Sequence, residues 1–216
     1  MHPSPTFREG GTARSLALVR DRSFGALAVN GPQGPLLSHV PFLLDEAGTE
    51  ADLHLVRSNP ILAALARPCA AVIAVQGADA YVSPDWYGIE DQVPTWNYVA
   101  VHLRGRLERR PDEEIRDLLD RQSLAAERRL APKPVWMPDK MTPQVLARLL
   151  RAIVPVRLHV ESVDATWKLG QNKPGAARLA AAAGIGAQGI GQETSALAAL
   201  MRAAVKRRWT WPGARP

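Results

Sequence analysis

Residues 95–108, TWNYVAVHLRGRLE, change character position by position. Successive side chains of a strand point to opposite faces, so Trp96, Tyr98, Ala100, His102 and Arg104 share one face and Asn97, Val99, Val101 and Leu103 share the other. A strand of this length needs a sheet around it.

The rest of the chain supplies the partners. SFGALAVNGPQGPLLSHVPFLLD (23–45) reads as two strands around a turn. Phe24, Ala26 and Ala28 alternate with Gly25, Leu27 and Val29, and NGPQGP holds the Gly and Pro residues that reverse a chain. ADLHLVR (51–57) is a third strand. SNPILAALARP then starts a short helix, with Ser58 or Asn59 as cap and Pro60 in the first turn. AAVIAVQG (70–77) is an apolar strand followed by AYVS, and VPVRLHVESV (154–163) is the last strand. Residues 111–130 form a helix with Ile115, Leu118 and Leu119 as its stripe. Residues 142–154 form another, capped by Thr142, with Val145, Leu146, Leu149, Leu150 and Ile153 on its apolar face. An Ala-rich helix breaks into a Gly-rich hinge at GIGAQGIG. A final helix places Leu197, Leu200, Met201 and Ala204 inward and Arg202, Lys206 and Arg208 outward. Strands come at short spacing and do not alternate regularly with helices. This excludes a doubly wound parallel sheet and predicts an α+β chain, an antiparallel barrel with segregated helices.

The chain has 216 residues, 46% of them hydrophobic and 22% charged, which suits one soluble globular domain, or one domain and a tail. The lone cysteine, Cys69, excludes a disulfide framework and an all-cysteine metal site. MHPSPTFREGG lacks a basic segment leading into an apolar run, and no apolar stretch reaches membrane-spanning length. A cytoplasmic protein without membrane contact is expected. The net charge is +6, yet no acid follows Glu193, while Arg202, Lys206, Arg207, Arg208 and Arg215 do. The body is therefore nearly neutral. The basic tail is either a solvated helix face or a surface for an anionic partner such as DNA.

GIGAQG (184–189) matches G-x-G-x-x-G, but no strand precedes it and no acid lies 20 residues on, so it is not a dinucleotide site. The histidines at 2, 39, 54, 102 and 159 have no ligand spacing, and neither a metal site nor a hydrolase motif is expected. HLVRSNP (54–60) is more informative. Arg57 followed by a helix start offers a cation and free amides to a phosphate monoester; a plain helix cap beside a surface Arg is the alternative.

The segments LLSHVPFLLD, LHLVRSNP, AYVSPDWY, VPTWNYVAVHLRG and WKLGQNK stand in the order of the PaiB-like family, the FMN-binding negative transcriptional regulators, over about Phe7 to Lys173. The resemblance implies a flavin-binding split barrel related to the pyridoxamine-phosphate oxidase group, a homodimer, and FMN at the subunit interface. It divides the chain into an FMN-binding domain, 1–173, and a hinge with a basic C-terminal helix, 174–216. It implies that Arg57, Ser58 and Asn59 approach the FMN phosphate and that Lys168 and Gln171 reach the isoalloxazine. Trp86, Trp96 and Asn97 would line the pocket or the dimer seam, and Ser38 and His39 complete the cofactor set. No catalytic residue is implied. A flavin-dependent oxidoreductase or a haem-handling split barrel is the competing reading. Many family members carry a Lys and a longer loop after the SPSWY-like segment; here GIEDQ brings Glu90 and Asp91 instead.

Overall fold

The structure, a computed structural model, describes residues 1–8 and 10–204. Six antiparallel strands, β1 (Phe24–Gly31), β2 (Gly34–Leu44), β3 (Glu50–Val56), β4 (Cys69–Val82), β5 (Thr95–Arg109) and β6 (Ile153–Lys168), close into a barrel in the order β1-β2-β3-β6-β5-β4. Six α-helices accompany them among the described residues: α1 (Thr12–Arg22), α2 (Pro60–Ala64), α3 (Ile115–Glu127), α4 (Pro143–Leu150), α5 (Gly175–Gln188) and α6 (Thr194–Ala203). The architecture is the α+β antiparallel barrel that the strand pattern predicts, in keeping with the split barrel that the family resemblance implies. None of the described helices is long and apolar enough to cross a membrane. The chain divides into two compact units. The first comprises Met1–Arg22, Val75–His102 and the chain from Val163; the second comprises Ser23–Ala74 and Leu103–Ser162.

In the second unit, β1 and β2 form a hairpin whose register runs from Phe24 opposite Pro41 to Gly31 opposite Gly34. Pro32 and Gln33 make the turn. Leu27 and Val29 face the core with Phe42, Leu53, Leu55, Ile73, Leu103 and Leu158, while Phe24 faces out. Helix α2 starts where Asn59 Oδ1 accepts the Ile61 amide hydrogen at 2.9 Å, so Asn59 and not Ser58 is the cap. Helix α3, preceded by a short 3-10 turn at Asp112–Glu114, buries Ile115 and Leu118. Helix α4 differs from expectation. It stops at Leu150, its Thr142 side chain makes no capping bond, and none of its residues is buried. Ile153 belongs to β6 because it pairs with Val56 in the β3–β6 ladder, and ladder pairing outweighs helical periodicity.

In the first unit, α1 buries Leu18 and Val19, and β4 carries the apolar strand expected at 70–77 on through the AYV that follows to Val82. Helix α5 also continues where a break was expected, through Gly184 and Gly186 to Gln188. The reason is a distant contact. A Cβ at Gly184 would lie 2.5 Å from the indole of Trp86, so only glycine lets the ring rest on the helix. The G-x-G-x-x-G match thus lies mostly within a helix, not at a strand-to-helix turn. Beyond Gly189, Glu193 adopts φ 52 and pairs with Arg22 before α6 begins. Helix α6 packs on α5 and buries Leu197, Ala198, Leu200 and Met201; Ala204, expected inward, is exposed. Lys206, Arg207, Arg208 and Arg215 lie outside the described residues.

Candidate functional site

The ten expected cofactor residues fall five in each unit. Ser38, His39, Arg57, Ser58 and Asn59 belong to the second, and Trp86, Trp96, Asn97, Lys168 and Gln171 to the first.

In the second unit the anticipated phosphate cradle is already satisfied from within. Arg57 Nη2 donates to Asp112 Oδ2 at 2.9 Å and Nε donates to the Arg151 carbonyl at 2.9 Å. Arg109 and then Arg57 hold the Asp112 carboxyl below the ordinary carboxylate range. Pro60 has no amide hydrogen, and those of Ile61 and Leu62 go to the side chain and the carbonyl of Asn59. The other end of that side chain donates to Ser38 Oγ at 2.7 Å. His39 stacks on Phe24 with ring centroids 6.3 Å apart, and Ser58 is exposed in the turn. These residues bind the end of β3 to its neighbours and leave few donors for a ligand.

The first unit is different. Trp86 and Tyr87 lie in a 3-10 turn, Pro84–Tyr87; Trp86 seats against Gly184 and Tyr87 is buried. Trp96 is 46% exposed and meets Tyr81 edge-on. Of the aromatic residues between Tyr81 and Tyr98, Trp86 therefore serves as the bed for α5, while Trp96 keeps an open face. Buried Asn97 donates to Met201 Sδ at 3.5 Å, a weak acceptor for an amide. Gln171 folds onto its own chain. Its oxygen accepts from Leu169 N at 2.7 Å and its nitrogen donates to the Trp167 carbonyl at 2.5 Å, closing a loop in which Gly170 takes φ 77.

Lys168 Nζ donates to Thr95 Oγ1 at 2.5 Å. Burial, and then the charge of Lys173, push the Lys168 ammonium below its ordinary pKa. Lys173 itself bonds Gln92 and lies 5.3 Å over the Tyr87 ring. Arg178, in the first turn of α5, is only 8% exposed, and its Nε has no hydrogen-bond partner. Among the described residues none of these three cations meets a carboxylate. Cations without a counter-charge fit an anionic, electron-rich group, and FMN offers both a phosphate and a pyrimidine edge rich in carbonyl oxygens. Arg178 was missed in the sequence. Its signal was an arginine in the first turn of an Ala-rich helix with no acid beside it. Nearby in the chain, residues 84–92 border an open cavity of about 450 Å3 whose wall includes Asp85, Glu90 and Asp91, a poor place for a phosphate. Among the described residues no cluster of His, Cys, Asp or Glu is arranged to hold a metal.

A family described as "Putative FMN-binding domain" matches residues 1–162. The protease synthase and sporulation protein PAI 2 of Bacillus subtilis is 29% identical over 157 residues, covering 72% of this chain and 74% of its own. Among solved structures, the FAD and heme binding protein of Mycobacterium smegmatis superimposes with a TM-score of 0.54 at 18% identity, over 75% of this chain and 73% of its own. The flavocytochrome Anf3 of Azotobacter vinelandii does so with a TM-score of 0.52 at 13% identity, over 79% and 73%. At those identities the two structures bear on the fold alone.

Proposed function

The chain belongs to the FMN-binding family that matches its residues 1–162, and from that membership we propose that it holds FMN as a homodimeric, PaiB-like negative regulator of transcription. FMN is the cofactor this membership carries, and it would supply the redox chemistry of the isoalloxazine. The observation that carries the reading is the first-unit cation set, in which Lys168, among the described residues, bonds only a hydroxyl. Lys168 would donate to the pyrimidine edge and favour the anionic reduced ring. Trp96, Trp86 and Asn97 would wall the ring. We assign Arg57, Asn59 and Ser38 a supporting role, since Arg57 Nε and Nη2, both ends of the Asn59 amide and Ser38 Oγ are already engaged.

Support for a dimer comes from exposed apolar side chains, among them Leu37 at 65% and Val56 at 54%, which a monomer would leave in water. Light scattering should report twice the 23.5 kDa chain mass. The test of cofactor binding is the visible spectrum and fluorescence of FMN titrated with the purified protein. Quenching that saturates at one FMN per chain is expected; flavin emission unchanged at every protein concentration would remove the reading. The regulator half rests on the basic C-terminal segment. Five cations give a log–log salt slope of about −4 per chain for duplex DNA. Replacing Lys206, Arg207 and Arg208 by Gln, which keeps α6, should weaken that binding and flatten the slope. If the full chain binds no DNA at low salt, a flavin-dependent oxidoreductase becomes the better description.

A further inference from the structure

We propose that the first turn of α5, backed by Arg178, is a binding site for a phosphate group. Helix α5 has 14 residues, no side-chain cap and no acid in its first turn. Pro174 stands at the cap position and has no side-chain acceptor, its carbonyl taking the Arg178 amide at 3.0 Å, so among the described residues the opening amide hydrogens of Gly175, Ala176 and Ala177 have no side-chain cap. A helix end in this state attracts anions.

Arg178 is the second, independent sign. Among the described residues no hydrogen bond or ion pair reaches its side chain, although it is more than nine-tenths buried. Helical side chains lean toward the N-terminus. Consistent with that, its Cγ and Cδ lie 3.5 and 3.7 Å from the point where a Cβ on Gly170 would stand, against the loop that feeds the helix. The guanidinium is therefore carried back toward the uncapped amides. A buried guanidinium without a counter-charge is strongly unfavourable, and a chain that keeps one has a use for it. Lys168, at the end of β6, and Lys173, on the loop that follows, have only neutral partners among the described residues. A planar fork, free amides and two ammonium groups suit a dianionic phosphate better than a single carboxylate.

The phosphate is either that of FMN or that of a separate phosphate monoester. The site stands without the flavin, so it is tested without it. Melting of the cofactor-free protein is compared in inorganic phosphate and in chloride of equal ionic strength. Phosphate should raise the wild-type Tm. Arg178→Met should melt at or above wild type in chloride, because the unpaired charge is gone, and should gain nothing from phosphate. Ala176→Asp, at an exposed position, should supply the anion from within, raising Tm and abolishing the phosphate response. It decides the matter even if Arg178→Met does not fold. Equal wild-type Tm in both salts, or an undiminished phosphate response in Ala176→Asp, overturns the proposal. A flavin arm identifies the source. If the site takes the FMN phosphate, inorganic phosphate competes with FMN, and Arg178→Met weakens FMN at least tenfold while sparing riboflavin. If phosphate and FMN bind together, the occupant is a separate ligand.

Discussion

The two units treat their positive charges in opposite ways. In the second, Arg57 and Arg109 share Asp112, Arg110 sits between Glu108 and Glu114, and Arg157 bridges Asp52 and Glu50. Arg121 spans Asp52 and Asp117. The first unit has a matched pair too, Arg22 with Glu193, but its cluster around the 167–178 loop is built otherwise. Lys168 meets a hydroxyl, Lys173 an amide and a ring face, and Arg178 nothing among the described residues. Matched cations are part of the framework. Unmatched ones hold a positive field that a ligand can discharge. The difference says where to look for function, and it can be broken by experiment.

The largest effect should come from removing a matched cation. Arg157 grips Asp52 through two bonds of 2.6 and 3.0 Å, and the Asp52 side chain is 13% exposed. Arg157→Met leaves that carboxylate half-paired and should cost about 2–3 kcal/mol in denaturant unfolding. A loss below about 0.5 kcal/mol would mean the second unit's network is decoration. Next comes Gly184→Ala, which forces a methyl group into the Trp86 indole. Overpacking of this kind costs about 1–3 kcal/mol. Adding Trp86→Ala should restore part of the loss, a coupling that a double-mutant cycle measures.

The pH dependence separates the units further. Burial would raise the Asp52 carboxyl, but hydrogen bonds from Arg157 and Arg121 outweigh it and hold it below the ordinary range. The folded chain therefore binds this proton less readily than the unfolded one. The stabilisation is complete above the ordinary carboxylate value of about 3.9 and is lost as pH falls through the lowered folded value. Melts of wild type and Asp52→Asn should differ by a constant amount at neutral pH and converge only below about pH 4. The smallest structural effect should be Lys168→Met, within about 0.5 kcal/mol, because its partner is neutral. The flavin reduction potential should fall instead. A drop in Tm at unchanged potential would place Lys168 in the framework after all.

What could be seen in the sequence, and what could not, follows the reach of each interaction. The alternation at 95–108 reports burial directly, since Asn97, Val99, Val101 and Leu103 all turn inward. The NGPQGP turn and the choice between Ser58 and Asn59 as cap are local as well. What the residue pattern leaves out are the distant partners. Arg57 looked free because Asp112 lies 55 residues away. The glycines of α5 read as a hinge because the Trp86 ring that demands Gly184 lies far back in the chain. Gln171 closes on its own backbone, and no pattern of residue types announces such a contact. Helix α4 has a sound amphipathic period, and periodicity cannot tell that no core faces it.

That last helix has a consequence for how the chain opens. Eight residues without a buried side chain are marginal as a helix in water, and few contacts resist fraying. Its exit is held instead by Arg57, whose backbone nitrogen bonds the Ala152 carbonyl at 2.8 Å and whose side chain bonds those of Arg151 and Ile153. The stretch before that clasp should exchange its amide hydrogens first and be the first cut by a protease. A second copy laid over Val145 and Leu149 would silence both signals. The rate of cleavage there, followed against protein concentration, becomes a clock for assembly.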